Sequence, residues 1–172
     1  GEPATVKVRR ATGRLASLRV EWVQPMGGRN AYTEFLQTHG EGIFSLVHRV
    51  PTPEAFRQEL ALLNLGGVGI LQKEYYKSGS GLAQTAYLDT EGDGGYVLGL
   101  TVGLDPGECE RPLASQAAPY RLRHSQFAFV IREPESVSHF WKRLGFPDFS
   151  FTHAALRDLT YRGDRGTFDQ EL

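Results

Sequence analysis

The chain has 172 residues, a formal net charge of −1 and 40% hydrophobic residues. This length and composition suit one packed domain, and the small net charge argues against a basic surface for nucleic acid or anionic membrane. No apolar run approaches the roughly 18 residues of a membrane span, and no charged-then-apolar leader is found, so we expect a cytoplasmic protein. The single cysteine, Cys109, excludes an intrachain disulfide and a thiolate-rich metal site.

The first fifty residues predict three strands and one short helix. Apolar and polar residues alternate in the predicted strands, which cover residues 5–10, 18–24 and 43–50. Pro25 is expected to end the second strand. Asn30 suits the N-cap of the helix, and Gly40 suits its C-terminal stop.

A second helix and three further strands are predicted between residues 52 and 102. Thr52 offers a capping hydroxyl, and Pro53 fits the first helical turn. The apolar stripe of this helix has helical spacing and consists of Phe56, Leu60 and Leu63. The strands are expected over residues 68–73, 82–89 and 96–102, with a tight hairpin at residues 91–95, EGDGG.

The remaining chain begins with a linker and continues as another β-α unit. Residues 105–120 lack periodicity and contain three prolines, which is typical of a linker. A strand is predicted over residues 126–132, followed by a helix with the apolar stripe Val137, Phe140, Trp141 and Leu144. Short strands are predicted over residues 149–151 and 156–161.

Two β-α units coincide when Ser45 is placed over Gln126. The helix stripe of the first unit then falls on Val137, Trp141 and Leu144. We therefore predict an α+β fold of two βαβββ modules whose curved mixed sheets surround a central cavity. One module is contiguous over residues 43–104, and the other is split between residues 1–25 and 121–172. Residues 26–42 form the connecting helix.

Several segments resemble the vicinal oxygen chelate superfamily, which includes glyoxalase I, methylmalonyl-CoA epimerase, extradiol dioxygenases and the fosfomycin- and bleomycin-resistance proteins. Residues 20–25, VEWVQP, and 32–42 resemble a strand and short helix of the epimerase-like branch. Residues 87–100 resemble its closing hairpin, and residues 126–145 resemble its opening β-α unit, in circularly permuted order. The resemblance implies the fold more strongly than any one reaction, because this scaffold supports many chemistries.

The resemblance also implies four metal-ligand positions, which here are Gln126, Glu21, Ser45 and Gly99. Family members usually carry His, Glu or Gln, His and Glu there, so only Glu21 is unchanged. We therefore expect no tightly bound metal ion and no dioxygenase chemistry. A weakly held divalent cation such as Mg²⁺ on Glu21 and Gln126 stays open, with His124 as one further weak candidate ligand. His48 is expected on the opposite, helix-packing face.

Three functions remain open. The first is a glyoxalase-like protein with a degenerate metal site that binds a small organic ligand through Glu21, Ser45, Tyr87 and Gln126. The second is an epimerase, isomerase or lyase in which Glu21 is the proton-transfer group. The third is a structural or regulatory protein whose cavity is filled by side chains.

The alternative role of Glu21 is structural, as an ion-pair partner of Arg19 or Arg49. The expected partner of the chain is a small organic molecule, with neither nucleic acid nor membrane. The predicted linker is about 50 Å long when extended at roughly 3.3 Å per residue. Its length therefore allows the split module to close within one chain or by exchange of halves in a homodimer.

Overall fold

The computed structural model describes residues 7–15, 18–78, 81–103, 128, 130, 132–151, 159–161 and 164–166. These residues form helices and both antiparallel and mixed sheets, which confirms the α+β class. The predicted linker, most of the strand predicted over residues 126–132, and the side chains of Cys109, His124 and Gln126 lie outside the described residues. Within the described part, no helix is long and apolar enough to cross a membrane.

The described residues contain eight strands and four helices. The strands are β1 (Lys7–Leu15), β2 (Leu18–Gly27), β3 (Ser45–Arg49), β4 (Ile70–Ser78), β5 (Gly81–Leu88), β6 (Val97–Val102), β7 (Leu159–Tyr161) and β8 (Asp164–Gly166). The helices are α1 (Ala31–His39), α2 (Pro53–Leu65), α3 (Glu91–Gly94) and α4 (Pro134–Arg143).

The largest sheet has four strands in the order β3-β6-β5-β4. Strands β3 and β6 are parallel, whereas β6, β5 and β4 are antiparallel neighbours. The chain therefore passes through β3, α2, β4, β5 and β6 in βαβββ order. Strands β1 and β2 form an antiparallel hairpin, and β7 pairs with β8. Of the second predicted module, the β1–β2 hairpin, α4 and the β7–β8 pair are described, but most of the strand predicted over residues 126–132 is not, so the module as a whole stays a prediction.

The helix ends follow from local capping, as the sequence predicts. The side chain of Asn30 accepts a hydrogen bond from the amide of Thr33 at 3.0 Å and begins α1. Gly40 ends that helix with φ 76°, a conformation that costs glycine little. Thr52 caps α2 in the same way, by accepting from the amide of Ala55 at 3.1 Å.

The four-stranded sheet buries one of its sides against α2 and α4. Because successive strand residues point to opposite sides, β6 places Leu98, Leu100 and Val102 together on this side. The helices contribute the buried side chains Phe56, Leu63, Phe140 and Trp141 to the same cluster. We call this the helix-packed side of the sheet.

The other side of the sheet faces the β1–β2 hairpin. Arg10 is paired directly with Val23 in the hairpin, so the two side chains share one face. Val8 and Val23 pack against a second buried cluster, which consists of Tyr32, Tyr87 and Val97. The hairpin and α1 thus cover what we call the hairpin-facing side of the sheet.

Several predicted strand boundaries are wrong. Strand β1 runs to Leu15, past the predicted end at residue 10, and β4 runs to Ser78, past the predicted end at residue 73. Strand β2 continues through Pro25 to Gly27, because the register shifts next to Pro25 and a bulge tolerates a residue without an N–H group. Strand β4 begins at Ile70 instead of residue 68. The amide of Val68 instead donates to the Leu63 carbonyl at 3.0 Å, which fixes the end of α2.

Residues 91–95 form a helical turn in place of the predicted tight hairpin. The amide of Gly94 donates to the Thr90 carbonyl at 2.6 Å, and Gly95 follows in the left-handed region with φ 79°. Strands β5 and β6 are nevertheless antiparallel neighbours, as predicted. Residues 149–151, for which a strand is predicted, have no regular secondary structure.

Candidate functional site

The hairpin-facing side of the sheet carries polar side chains where the helix-packed side carries aliphatic ones. Thr85 and Thr101 are buried there, and their hydroxyl groups are hydrogen-bonded at 2.9 Å. Their neighbours in the sheet register include Glu74 and Tyr87. Polar groups that lie on a buried sheet face need partners, because an unpaired one costs about 1–3 kcal/mol.

A hydrogen-bond network connects the hairpin, α1 and this side of the sheet. Arg10 Nη2 donates to Glu74 Oε2, and Gln72 Nε2 donates to Glu74 Oε1 at 2.7 Å. The Gln72 Oε1 atom accepts from the amide of Ala31, at the start of α1, at 2.9 Å. Burial alone would lower the pKa of Arg10, but the Glu74 carboxylate raises it above its ordinary value. Arg10 therefore stays charged.

Two buried tyrosines meet beside this network. Tyr32 Oη donates to Tyr87 Oη at 2.8 Å, and both residues are 6% exposed. Burial raises the pKa of each hydroxyl, and the nearby Glu74 carboxylate raises both further. Both hydroxyls are consequently protonated at neutral pH. They can hold a ligand by hydrogen bonds but cannot act as bases there.

Glu21 lies on the same face of the hairpin as Val23 and points toward the hairpin-facing side. Its Oε1 atom accepts from Arg19 Nη2 at 2.7 Å, which is one of the two ion pairs considered from the sequence. The Glu21 carboxylate also contributes to the raised pKa of Tyr87. The structure therefore pairs Glu21 with Arg19, and Glu21 acts on Tyr87 only through its charge.

Ser45 lines a cavity of about 150 Å³ at the β3 end of the sheet. The residues around this cavity are Ile43, Phe44, Ser45, Glu91, Gly95, Tyr96 and Ala128. Ile43 is 71% exposed, which places it at the mouth. We call this space the Ser45 cavity.

The aromatic walls of the Ser45 cavity are held by packing. The ring of Phe44 contacts the ring of Tyr87 with centroids 5.1 Å apart, so Phe44 separates the cavity from the tyrosine pair. On the other wall, Tyr96 stacks on Trp141 at 4.9 Å. Trp141 Nε1 in turn donates to the Gly94 carbonyl at 3.0 Å. These contacts hold each ring in place against its own neighbours.

Thr90 holds the segment that carries Glu91 and Tyr96. Its hydroxyl donates to the Tyr96 carbonyl at 2.7 Å and accepts from the Leu98 amide at 2.8 Å. Thr90 is 0% exposed, so both bonds are shielded from water. The turn between β5 and β6 is therefore a fixed wall of the cavity.

The described residues do not fit the metal site that the sequence resemblance implies. Gly99 contributes no side chain, and a Cβ atom added there would lie 2.8 Å from Val47 Cγ2. Glu21 is engaged by Arg19, and Ser45 supplies a neutral hydroxyl, which is a poor ligand for Zn²⁺ or Fe²⁺. Within the described part of the chain, no group of three or more His, Cys, Asp or Glu side chains is placed to hold a metal ion.

His48 is not part of this site. It pairs with Leu100 in the parallel register, on the helix-packed side as predicted, but its side chain is exposed instead of packed. Phe44 lies between Ser45 and Tyr87, so these two predicted ligand-binding residues do not line one cavity, and Glu21 is paired with Arg19. Gln126 and His124 lie outside the described residues.

Sequence reasoning missed several residues of the site. The missed residues are Arg10, Tyr32, Phe44, Gln72, Glu74 and Glu91. A signal exists for two of them, because Gln72 and Glu74 are alternate residues of one strand and so share a face. Arg10 is 64 residues from Glu74, and no local pattern predicts their contact.

Comparison with known proteins adds little to this geometry. No protein-family model matches the chain, and no curated protein matches it. Among solved structures, the chain is similar to the crystal structure of hypothetical protein BH1468 from Bacillus halodurans C-125. The two chains are 20% identical, with a TM-score of 0.44 over 57% of this chain and 68% of the other.

Proposed function

We propose that this protein binds a small organic molecule in the Ser45 cavity beside its four-stranded sheet, without a tightly held metal ion. The observation that carries the proposal is the cavity itself, whose lining includes the aromatic residues Phe44 and Tyr96. Ligand sites in proteins are typically apolar concave spaces with a few well-placed polar groups. The Ser45 hydroxyl and the Glu91 carboxylate are such groups.

The size of the cavity limits the ligand. An apolar cavity of roughly 150 Å³ in another protein holds one benzene molecule, and the volume of the Ser45 cavity is about the same. A molecule with one ring or a short branched chain therefore fits, and a larger ligand has to extend past Ile43 at the mouth.

The donor set supports binding without metal. Of the four positions that the sequence resemblance implies, Gly99 has no donor and Glu21 is paired with Arg19. The proposal agrees with the resemblance to the glyoxalase-like vicinal oxygen chelate fold, whose resistance-protein branch binds small organic molecules.

An isomerase, epimerase or lyase activity that uses Glu21 is the second candidate. The resemblance of the segment around Glu21 to the epimerase-like branch favours it, because a carboxylate is a usable proton-transfer group, and the charge of Glu21 raises the pKa of Tyr87 slightly further. The ion pair with Arg19 argues against it, since one carboxylate oxygen is already occupied.

A fragment screen tests the binding proposal. Ligand-observed NMR against a panel of single-ring and short-chain molecules, with a chelator present throughout, should identify binders. We expect the substitution Ser45→Leu to fill the cavity and weaken those binders at least tenfold. Thr38→Leu on the exposed surface of α1 is the matched control and should leave binding unchanged. Binding that requires a divalent ion, or that survives Ser45→Leu, would contradict the proposal.

A further inference from the structure

The charge on the described residues that line the Ser45 cavity is negative. Among the described residues that line it, Glu91 alone is charged, and neither lysine nor arginine is present. The remaining polar group is the Ser45 hydroxyl, and the two rings belong to Phe44 and Tyr96. A carboxylate attracts a cation by Coulomb interaction, and the negative faces of aromatic rings add to that attraction.

Glu91 is only weakly compensated by its surroundings. Its ion-pair partner among the described residues is His39, whose Nε2 atom lies 3.5 Å from Glu91 Oε1. That histidine is charged only when protonated, and its ring is stacked on Phe35 at a centroid distance of 4.8 Å. The contact engages the Oε1 atom, and the Glu91 side chain is 41% exposed.

A bound anion would be repelled in this cavity. It would approach the Glu91 carboxylate without a lysine or arginine among the described lining residues to balance the repulsion. A neutral ligand of the same shape would gain the contact with the rings but no Coulomb attraction. The cavity therefore discriminates by charge as well as by volume.

We propose that the ligand of the Ser45 cavity is a small organic ammonium ion. Its nitrogen lies at the Glu91 carboxylate, and its carbon part, one ring or a few methyl groups, lies between Phe44 and Tyr96 near Ser45. This inference rests on the proposed function and adds the chemical class of the ligand.

A matched series of probes tests the charge preference. Benzylamine, benzyl alcohol and benzoate have nearly the same shape and differ in charge, and tetramethylammonium tests the cation without a ring. We expect calorimetric titration of the full chain in dilute buffer to show that benzylamine binds at least tenfold more tightly than benzyl alcohol. Benzoate should not bind, and added salt should weaken benzylamine binding, because screening acts on charge pairs near the surface.

The substitution Glu91→Gln should remove the charge preference and leave the shape of the cavity intact. We expect benzylamine to lose at least tenfold in affinity, whereas benzyl alcohol should change much less, because its hydroxyl can donate to an amide oxygen as well as to a carboxylate. Glu59→Gln on the exposed face of α2 makes the same charge change outside the cavity and should leave both affinities unchanged. Circular dichroism of each variant checks that the fold is retained.

The possible results separate this inference from the proposed function. If benzyl alcohol or benzoate binds as tightly as benzylamine, and Ser45→Leu abolishes that binding, the protein has a ligand cavity but the ammonium assignment is wrong. If no probe of the series and no fragment of the wider panel binds, both proposals fail. If benzylamine binds but Glu91→Gln has no effect, its site is elsewhere and the inference is wrong.

Discussion

At the scale of single residues, the hairpin-facing side is defined by side chains whose chemistry depends on burial. Tyr32 and Tyr87 are shielded phenols, and Arg10 is a guanidinium held by Glu74. Glu21 is less buried, with a side chain 27% exposed, and it is held by Arg19. We therefore derive one prediction from the two tyrosines and a different one from Glu21.

The two tyrosines should make the fold sensitive to alkali. Burial raises the pKa of both in the folded state above the ordinary value of about 10. Above that pH the unfolded chain loses the phenol protons while the folded chain keeps them, so the free energy of unfolding should fall as pH rises above about 10. Absorbance at 295 nm should show a delayed group among the 7 tyrosines, which ionises only on unfolding.

Substitution of both residues provides the control for that titration. The double variant Tyr32→Phe, Tyr87→Phe should lose part of the delayed absorbance change and should unfold at higher pH, relative to its own stability at pH 7. Tyr75→Phe, at a position 61% exposed, should remove only a tyrosine that ionises early. A single normal transition for all tyrosines of the native protein would contradict this assignment.

The substitution Glu21→Gln separates the two candidate functions. If the protein is a binding protein, the variant should keep ligand affinity within about threefold and lose less than about 1 kcal/mol of stability, because the pair with Arg19 is partly exposed. If Glu21 transfers protons, the turnover of a substrate found by screening should fall roughly 10²–10⁴-fold. Arg19→Gln is the control that breaks the same pair and retains the carboxylate.

At the scale of secondary-structure elements, two contacts determine where the site is. The hairpin is held to the sheet by Arg10 and Glu74, and the turn α3 is held to α4 by Gly94 and Trp141. Both contacts join segments far apart in the chain. Each can be weakened by one substitution that has a matched control.

Glycine is required at position 94 because α3 and α4 are in close contact. A Cβ atom there would lie 2.6 Å from Trp141 Cζ2 and 2.9 Å from Phe140 Cε1. We expect Gly94→Ala to cost about 1–3 kcal/mol of unfolding free energy, as overpacking of a core does. Gly92→Ala in the same turn, where nothing lies within 4 Å, should cost much less. Urea unfolding of both variants measures the difference, and equal losses would contradict the assigned contact.

We expect the Arg10–Glu74 ion pair to be the main interaction that holds the β1–β2 hairpin to the sheet. Glu74→Gln removes the carboxylate that pairs with the half-buried guanidinium of Arg10, and we expect a loss of about 1–3 kcal/mol. Hydrogen exchange should speed up in β1 and β2 more than in β5 and β6. Glu54→Gln, which breaks a fully exposed pair with Arg57, should change neither quantity. Uniform acceleration in all four strands would show that the pair supports the whole fold.

At the scale of the whole molecule, the sequence predicts what depends on neighbouring residues. Asn30 and Thr52 cap their helices as expected, because a cap involves residues only three positions apart. The apolar stripes of α2 and α4 are likewise buried where their spacing predicts. The alternation of residues in β2 is also enough to place Glu21 and Val23 on one face.

What the sequence could not predict depends on distant contacts. The extension of β2 past Pro25 needs a bulge opposite Lys7 and Val8, in a strand that pairs only after the chain reverses. The link between Ala31 and Gln72 spans 41 residues, and the tyrosine pair spans 55. Such contacts are set by the registers of several strands at once, and no single segment encodes them.

The close approach of Val47 to Gly99 constrains how this chain could change. A carboxylate introduced at position 99, as a step toward restoring the chelating set, would first collide with the branched side chain across the strand pair. Val47 would have to be reduced to alanine or glycine beforehand, a change with no benefit of its own. The effects of the two substitutions on stability should therefore not add, and Val47 has to become smaller before position 99 can accept a side chain without strain.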